Sequence, residues 1–125
     1  MKKIILAALL CLGSISFAHA TPSIGKWHAQ FWRDDISGGY TENYYCITSG
    51  AGFYLIGGMA VGNWFSKGNE FHANVINAQV SPAVATSFEL YSINPNSMQG
   101  YYMGFNSNGW AGYYTASFDY VGPTC

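Results

Sequence analysis

Few residues of this chain have side chains suited to catalysis or metal binding. Beyond the N-terminal segment there are two histidines, His28 and His72. Metal sites and catalytic elbows need further donors at set spacings, and the sequence contains no H-x-H, H-E-x-x-H or G-x-S-x-G pattern. We therefore assign no catalytic residue, no metal ligand and no cofactor. An enzyme is the least supported function, although a nucleophile, base and acid assembled only in space remain an alternative.

Acidic residues occur at two places where a site is conceivable. Asp34-Asp35 precedes Ser, Gly and Gly, which is a turn composition, and no D-x-D-x-D-G spacing follows. The sequence therefore predicts a solvated turn here and not a calcium site. Glu70 and His72 are two residues apart, so they share one face of a strand, and we expect a surface pair.

Aromatic residues are the main candidates for binding. They form 18% of the chain, whereas charged residues form 9%, so there are more rings than a small core requires. Adjacent tyrosines on a strand point to opposite faces, so one of each pair faces outward. Outward rings can stack on sugars or on partner side chains, or can cover strand glycines. The candidate ligand-binding residues are Trp110, Trp64, Trp32, Tyr101 and Tyr113.

Two of these tryptophans stand beside Gly and Asn near strand ends, in Gly62-Asn63-Trp64 and in Asn108-Gly109-Trp110. Gly and Asn permit tight turns, and an amphipathic ring suits an interface. In an eight-strand meander the two rings are expected near opposite mouths, with Trp110 marking the binding end. The alternative is that both rings plug the barrel.

The N-terminus has the pattern of a secretory signal peptide. Lys2-Lys3 is followed by the apolar run Ile4–Leu12, and Ala18-His19-Ala20 matches a cleavage signal. The run is too short to span a membrane. We expect residues 1–20 to be removed, which leaves one domain over residues 21–125. The protein is then exported to the periplasm or the extracellular space, and the short basic start is typical of bacteria.

Charge and cysteine content restrict the partners and the compartment. Cleavage removes two of the five basic residues and none of the six acidic ones, so the net charge falls from −1 to −3. No basic patch remains to neutralise phosphates, which excludes nucleic acid as a partner. Cys46 and Cys125 also remain, without a C-x-x-C motif. An even count in an exported domain predicts one disulfide between them.

Apolar and aromatic runs alternate with glycine- and asparagine-rich breaks along the chain. In Gly50–Val75, Gly57-Gly58 and Lys67-Gly68-Asn69 separate three such runs, which predicts three strands. No 3.6-residue apolar period occurs outside the signal peptide. Eight short strands with short connections predict an all-β, antiparallel up-and-down meander closed into a barrel, with a two-sheet sandwich as the alternative. Polar residues on both strand faces, such as Glu42 and Gln99, argue against a membrane span.

The start of the first strand, Gly25-Lys26-Trp27, resembles the start of lipocalins and other small calycin barrels, including the avidin-like ones. The resemblance implies an eight-stranded barrel with a tryptophan at one end and space for a cavity. Many of these barrels have a late arginine over the tryptophan, but no residue after Lys67 is basic here. The resemblance therefore transfers the architecture and no binding residues.

We expect a non-enzymatic binding module, acting through an aromatic-rich surface or a barrel mouth. Its partner would be a protein, such as a secreted hydrolase, or a glycan. The alternative is a carrier of a small apolar ligand in a barrel cavity. An eight-strand barrel holds either side chains or one small ligand, and the many large rings of this chain favour a filled interior.

Overall fold

The computed structural model describes residues 21–33, 40–109 and 111–125, and these form an antiparallel β-barrel. The strands follow one another around the barrel in chain order, and β8 pairs with β1 to close it. The described residues include no helix, and thus none that could cross a membrane. The predicted all-β meander is confirmed, and its closure excludes the two-sheet sandwich. The strands are β1 (Gly25–Arg33), β2 (Tyr40–Ile47), β3 (Gly52–Leu55), β4 (Val61–Lys67), β5 (Glu70–Asn77), β6 (Val84–Asn94), β7 (Ser97–Asn106) and β8 (Ala111–Gly122).

Three sequence-based predictions lie outside the described residues. They are the signal peptide over residues 1–20, the solvated turn at Asp34-Asp35, and the role of Trp110 at a barrel mouth.

The centre of the barrel is filled by aromatic rings. The ring centroid of Phe31 lies 4.8 Å from that of Tyr102, 6.0 Å from that of Phe118 and 6.1 Å from that of Phe88. Tyr45 adds a further ring, 5.4 Å from Phe88. These five residues come from β1, β2, β6, β7 and β8, so rings from opposite walls meet across the lumen. Such distances are those of packed aromatic pairs.

Two glycines allow neighbouring strands to approach closely. A Cβ atom at Gly62 would collide with the backbone carbonyl of Asn74 on β5. A Cβ atom at Gly100 would likewise collide with the carbonyl of Glu89 on β6. Both positions therefore accept only glycine, which is the role expected of strand glycines in a small, strongly bent barrel.

The two ends of the barrel differ in their connections. At one end, here called the closed end, β2–β3, β4–β5 and β6–β7 are joined by four, two and two residues. At the other, the loop end, the connections have six, five, six and four residues. Hairpins of two residues are the tightest that antiparallel strands allow. The longer connections are therefore concentrated at the loop end.

Hydrogen bonds from large side chains seal the closed end. The indole N–H of Trp27 donates to the carbonyl of Ser23 at 2.9 Å, and that of Trp64 donates to the carbonyl of Thr48 at 2.9 Å. The hydroxyl of Tyr120 donates to the carbonyl of Ile24 at 2.8 Å, and its ring packs 5.4 Å from Trp27. Ser23 and Ile24, which precede β1, are thus held across the barrel end by hydrogen bonds to Trp27 and Tyr120.

The predicted disulfide is confirmed. Cys46 on β2 is bonded to Cys125, the last residue, with the two Cα atoms 5.7 Å apart. The chain after β8 therefore crosses the start of β1 to reach β2. The bridge closes a loop with a sequence separation of 79, which stabilises the fold by about 4 kcal/mol in the chain-entropy description.

Candidate functional site

The outer face of β6 to β8 carries three tyrosines. On β6, Leu90 is buried in the core, so Tyr91 beside it points outward. On β7, Tyr102 packs against the core, so Tyr101 points outward. Each of the three residues is between 44% and 52% exposed, although rings of this size are usually more buried. The three are Tyr91, Tyr101 and Tyr113.

Two of these rings form one platform. The rings of Tyr101 and Tyr113 lie on neighbouring strands with centroids 5.3 Å apart and planes inclined by 23°, which is an offset stack. The backbone register explains the contact, because Tyr101 is opposite Thr115 and Tyr113 is two residues earlier on the same strand face. The stack restricts both rings, so less entropy is lost when a ligand covers them.

An open groove of about 410 Å³ lies beside this platform. Its walls combine aromatic and aliphatic carbon with phenol, amide and hydroxyl groups, and none of its lining residues carries a charge. Glu89 borders it as the cross-strand neighbour of Tyr101. The volume is within the range of small-molecule sites, about 300–1,000 Å³. The lining residues, here called the tyrosine groove, are Tyr91, Ile93, Gln99, Gly100, Tyr101 and Thr115.

The structure brings together three of the five predicted binding residues. Tyr101 and Tyr113 form the platform, and Trp32 on β1 is the cross-strand neighbour of Thr115, which lines the groove. Trp64 is not part of this face. Its ring packs inside the barrel, stacked on Phe71 at 5.7 Å, and its N–H is already bonded to a backbone carbonyl. This is the plug position considered for it from the sequence.

Sequence reasoning did not single out Tyr91, Ile93, Gln99 or Thr115 as binding residues. A signal for the first two was present, because strict alternation along β6 places Tyr91 and Ile93 on the face opposite Leu90. Alternation does not show that these two residues lie near β7 and β8, because that proximity depends on strand register.

The other ionisable side chains considered as sites pair on the surface or lie in the core. Glu70 and His72 form the expected surface pair, with Oε2 and Nε2 3.4 Å apart. Among the residues that the structure describes, no three His, Cys, Asp or Glu side chains are grouped to hold a metal ion. Burial raises the pKa of Tyr45 and of Tyr102, and both face the interior. Their raised pKa values therefore reflect core packing.

The closed eight-strand antiparallel meander is the architecture that the Gly25-Lys26-Trp27 start implies. Trp27 also takes the expected position at one barrel end, where it is completely buried. Comparison of the chain with protein-family models, with curated proteins and with solved structures finds no match.

Proposed function

We propose that this protein is an exported binding module that holds a neutral saccharide in the tyrosine groove. The observation that carries the proposal is the groove itself. Stacked, exposed tyrosines stand there beside uncharged hydrogen-bonding groups on an open sheet face. The signal-peptide pattern and the disulfide support export.

The groove has the two kinds of group that a sugar ring requires. The C–H face of a sugar packs on an aromatic ring, and its hydroxyls exchange hydrogen bonds with phenol, amide and hydroxyl groups. Gln99 and Thr115 supply the amide and the hydroxyl at the groove wall. The carboxylate of Glu89 at the border is an acceptor for sugar hydroxyls. Together with the net charge of −3 expected for the mature chain, it disfavours acidic saccharides.

The ring-filled interior weighs against the carrier alternative. Side chains from five strands meet across the lumen at centroid separations of 4.8–6.3 Å. A ligand in the centre would have to displace them, and gaps in a close-packed core are costly. The outer face needs no such rearrangement.

A protein partner is the second candidate, and the exposed apolar residues on this side of the barrel favour it. Ile93, Met103 and Phe105 are exposed on the same side of the barrel as the tyrosines. Methionine and aromatic residues are enriched in the cores of protein interfaces. The experiment therefore has to separate a saccharide from a protein.

The test is binding of the mature protein to a panel of insoluble and soluble polysaccharides, such as cellulose, chitin, xylan and peptidoglycan. We expect one neutral glycan to be bound. Tyr101→Ala and Tyr91→Ala should each weaken this binding by about two- to ten-fold, since one aromatic contact contributes roughly 0.5–1.5 kcal/mol. Tyr44→Ala is the matched control, because Tyr44 is also exposed but lies on β2.

Two results would contradict the proposal. One is failure of the unaltered protein to bind any glycan of the panel. The other is an equal loss from Tyr44→Ala and Tyr101→Ala. Gln99→Ala and Ile93→Ser separate the two candidates, because loss of the amide weakens a saccharide complex most, whereas loss of the aliphatic side chain weakens a protein complex most.

A further inference from the structure

The barrel places a long strand beside a short one. β2 has eight residues, whereas its neighbour β3 has four. Tyr45, Cys46 and Ile47 pair with β3, and no residue of β3 lies opposite Tyr40–Asn43. The first half of β2, at the loop end, is therefore paired with β1 on one side and has no strand on the other.

The local sequence explains why β3 ends early. Gly57 has a φ of 79°, a conformation that favours glycine, and it turns the chain back directly after the strand. The N–H of Gly58 donates to the carbonyl of Leu55 at 3.4 Å, and the N–H of Leu55 donates to the carbonyl of Ala60 at 2.9 Å. The hairpin closes at this point, so β3 does not continue along the start of β2.

The backbone groups of β2 that face the unpaired side can be identified by alternation. Both backbone groups of a strand residue point to the same side, and successive residues point to opposite sides. The carbonyl of Tyr44 accepts from the N–H of Ile56 at 2.8 Å, so Tyr44 faces β3. Tyr40 and Glu42 face the same way. Within the part of the chain that the structure describes, no backbone group pairs with either residue on that side.

The exposure of the side chains agrees with an uncovered strand. Thr41 is opposite Phe31 on the inner face, where Phe31 is buried, yet Thr41 itself is exposed. Tyr45, on the same face of β2 but beside β3, is buried. The difference follows from the missing neighbour strand. The uncovered segment, Tyr40–Asn43, is here called the β2 edge.

The chemistry of this edge selects the kind of molecule that binds there. Unpaired N–H and C=O groups that repeat at strand spacing are matched best by another extended backbone, and strand addition is a common mode of peptide recognition. We propose that an extended peptide segment of another protein adds to the β2 edge as an antiparallel strand, in line with β3. Its backbone bonds to the N–H and C=O groups of Tyr40 and Glu42.

Charge indicates the composition of the peptide. Glu42 Oε1 accepts from the amide of Gln30 at 3.2 Å, and Oε2 lies 3.5 Å from Nε2 of His28, but the Glu42 side chain is still 44% exposed. A carboxylate has further acceptor sites, and opposite charges on facing strand positions stabilise pairing. We therefore expect Lys or Arg opposite Glu42. A second copy of the chain is disfavoured, because it would bring another Glu42 to this edge and the expected mature chain has a net charge of −3.

The first experiment measures hydrogen exchange of the backbone amides by NMR in the mature protein. The amides of Thr41 and Asn43 face β1 and should exchange slowly, whereas those of Tyr40 and Glu42 should exchange fast. The probe is the peptide acetyl-Thr-Lys-Val-Lys-Thr-amide. We expect it to slow exchange at Tyr40 and Glu42 only. The matched control is the same peptide with N-methyl groups on both lysines, which removes the N–H groups that would face the edge and should abolish the effect.

Variants separate the backbone from the charge. Glu42→Pro removes an N–H that the fold leaves unpaired, so it should keep the melting temperature and abolish peptide binding. Thr41→Pro removes an N–H that faces β1 and should lower the melting temperature. Glu42→Gln keeps the backbone and should weaken binding of the lysine peptide by about two- to five-fold, the effect of one cross-strand charge pair.

Four outcomes would overturn the inference. They are slow exchange at Tyr40 and Glu42 in the free protein, no effect of the lysine peptide at millimolar concentration, an equal effect of the N-methylated peptide, and equal binding of a peptide with Glu in place of Lys. Self-association that Glu42→Pro abolishes, without peptide binding, would assign the edge to a second copy of the chain. Peptide binding by Tyr101→Ala is expected to be unchanged, so the result does not depend on the saccharide proposal.

Discussion

The closed end and the loop end of this barrel use aromatic and apolar residues in opposite ways. At the closed end, Trp27 and Trp64 face inward and donate their indole N–H groups to backbone carbonyls. At the loop end, Val61, Ile76 and Phe105 face outward and remain half exposed. Trp27 and Trp64 therefore stabilise the fold, whereas the three loop-end side chains are available for contact. We expect substitutions at the two ends to separate stability from binding.

The largest expected effect is at the closed end. Trp27→Ala removes a completely buried ring and its hydrogen bond, and should lower the free energy of unfolding by about 3–5 kcal/mol. Phe105→Ala at the loop end should change it by about 0.5 kcal/mol or less, because this ring is 51% exposed. Guanidinium unfolding measures both values. Similar losses from the two variants would show that the ends do not differ in the way described.

The next largest effect concerns the disulfide. Cys46→Ser should destabilise the mature protein by about 2–4 kcal/mol, because the unfolded chain loses a long closed loop. Cys125→Ser is the matched control and should cost the same. The double variant should be no less stable than either single variant. Thiol titration of the denatured, unreduced protein without substitutions should find no free thiol. Two free thiols would contradict the bridge.

A smaller effect distinguishes the core from the outer tyrosines at high pH. Burial raises the pKa of Tyr45 above the ordinary value of 10.0, so the unfolded chain loses this proton at a lower pH than the folded protein. Stability from this group is therefore fully present below pH 10 and is lost as pH rises above 10, by about 1 kcal/mol at pH 11. Tyr45→Phe should reduce this loss. Melting temperatures at pH 8 and pH 11 provide the measurement.

The smallest effect concerns the hydrogen bond between Tyr120 and Ile24, which holds the residues before β1 on the barrel end. Tyr120→Phe removes the hydroxyl that donates to the carbonyl of Ile24 and keeps the ring beside Trp27. We expect a loss of about 0.5–1 kcal/mol in unfolding free energy. Hydrogen exchange should also become faster at the Ser23 amide, which donates to the carbonyl of Pro95. Unchanged exchange would show that this end is sealed without the tyrosine.

Much of the fold was determined by local sequence pattern. Gly25–Arg33 alternates apolar and polar residues, and it forms β1 with the predicted bounds. The Gly57-Gly58 break lies between β3 and β4 as expected. The second break, between β4 and β5, is reduced to Gly68-Asn69, because Lys67 is the last residue of β4. The disulfide followed from there being only two cysteines in the expected mature chain. These features depend on side-chain alternation, on the backbone preferences of Gly and Asn, and on the number of cysteines. All three can be recognised in a segment without knowing which strand it pairs with.

Tertiary structure alone decided which of these residues meet. Alternation placed Trp64 on one face of its strand, but only barrel closure made that face the inside. The tyrosine groove needs the register of β6, β7 and β8, and the outer row of Val61, Ile76, Ala85 and Phe105 needs that of β4 to β7. A one-residue change of register would exchange inner and outer faces, so both surfaces depend on strand pairing. Turn geometry and the apolar pattern together fix that register, and only the closed barrel decides which face of each strand is buried.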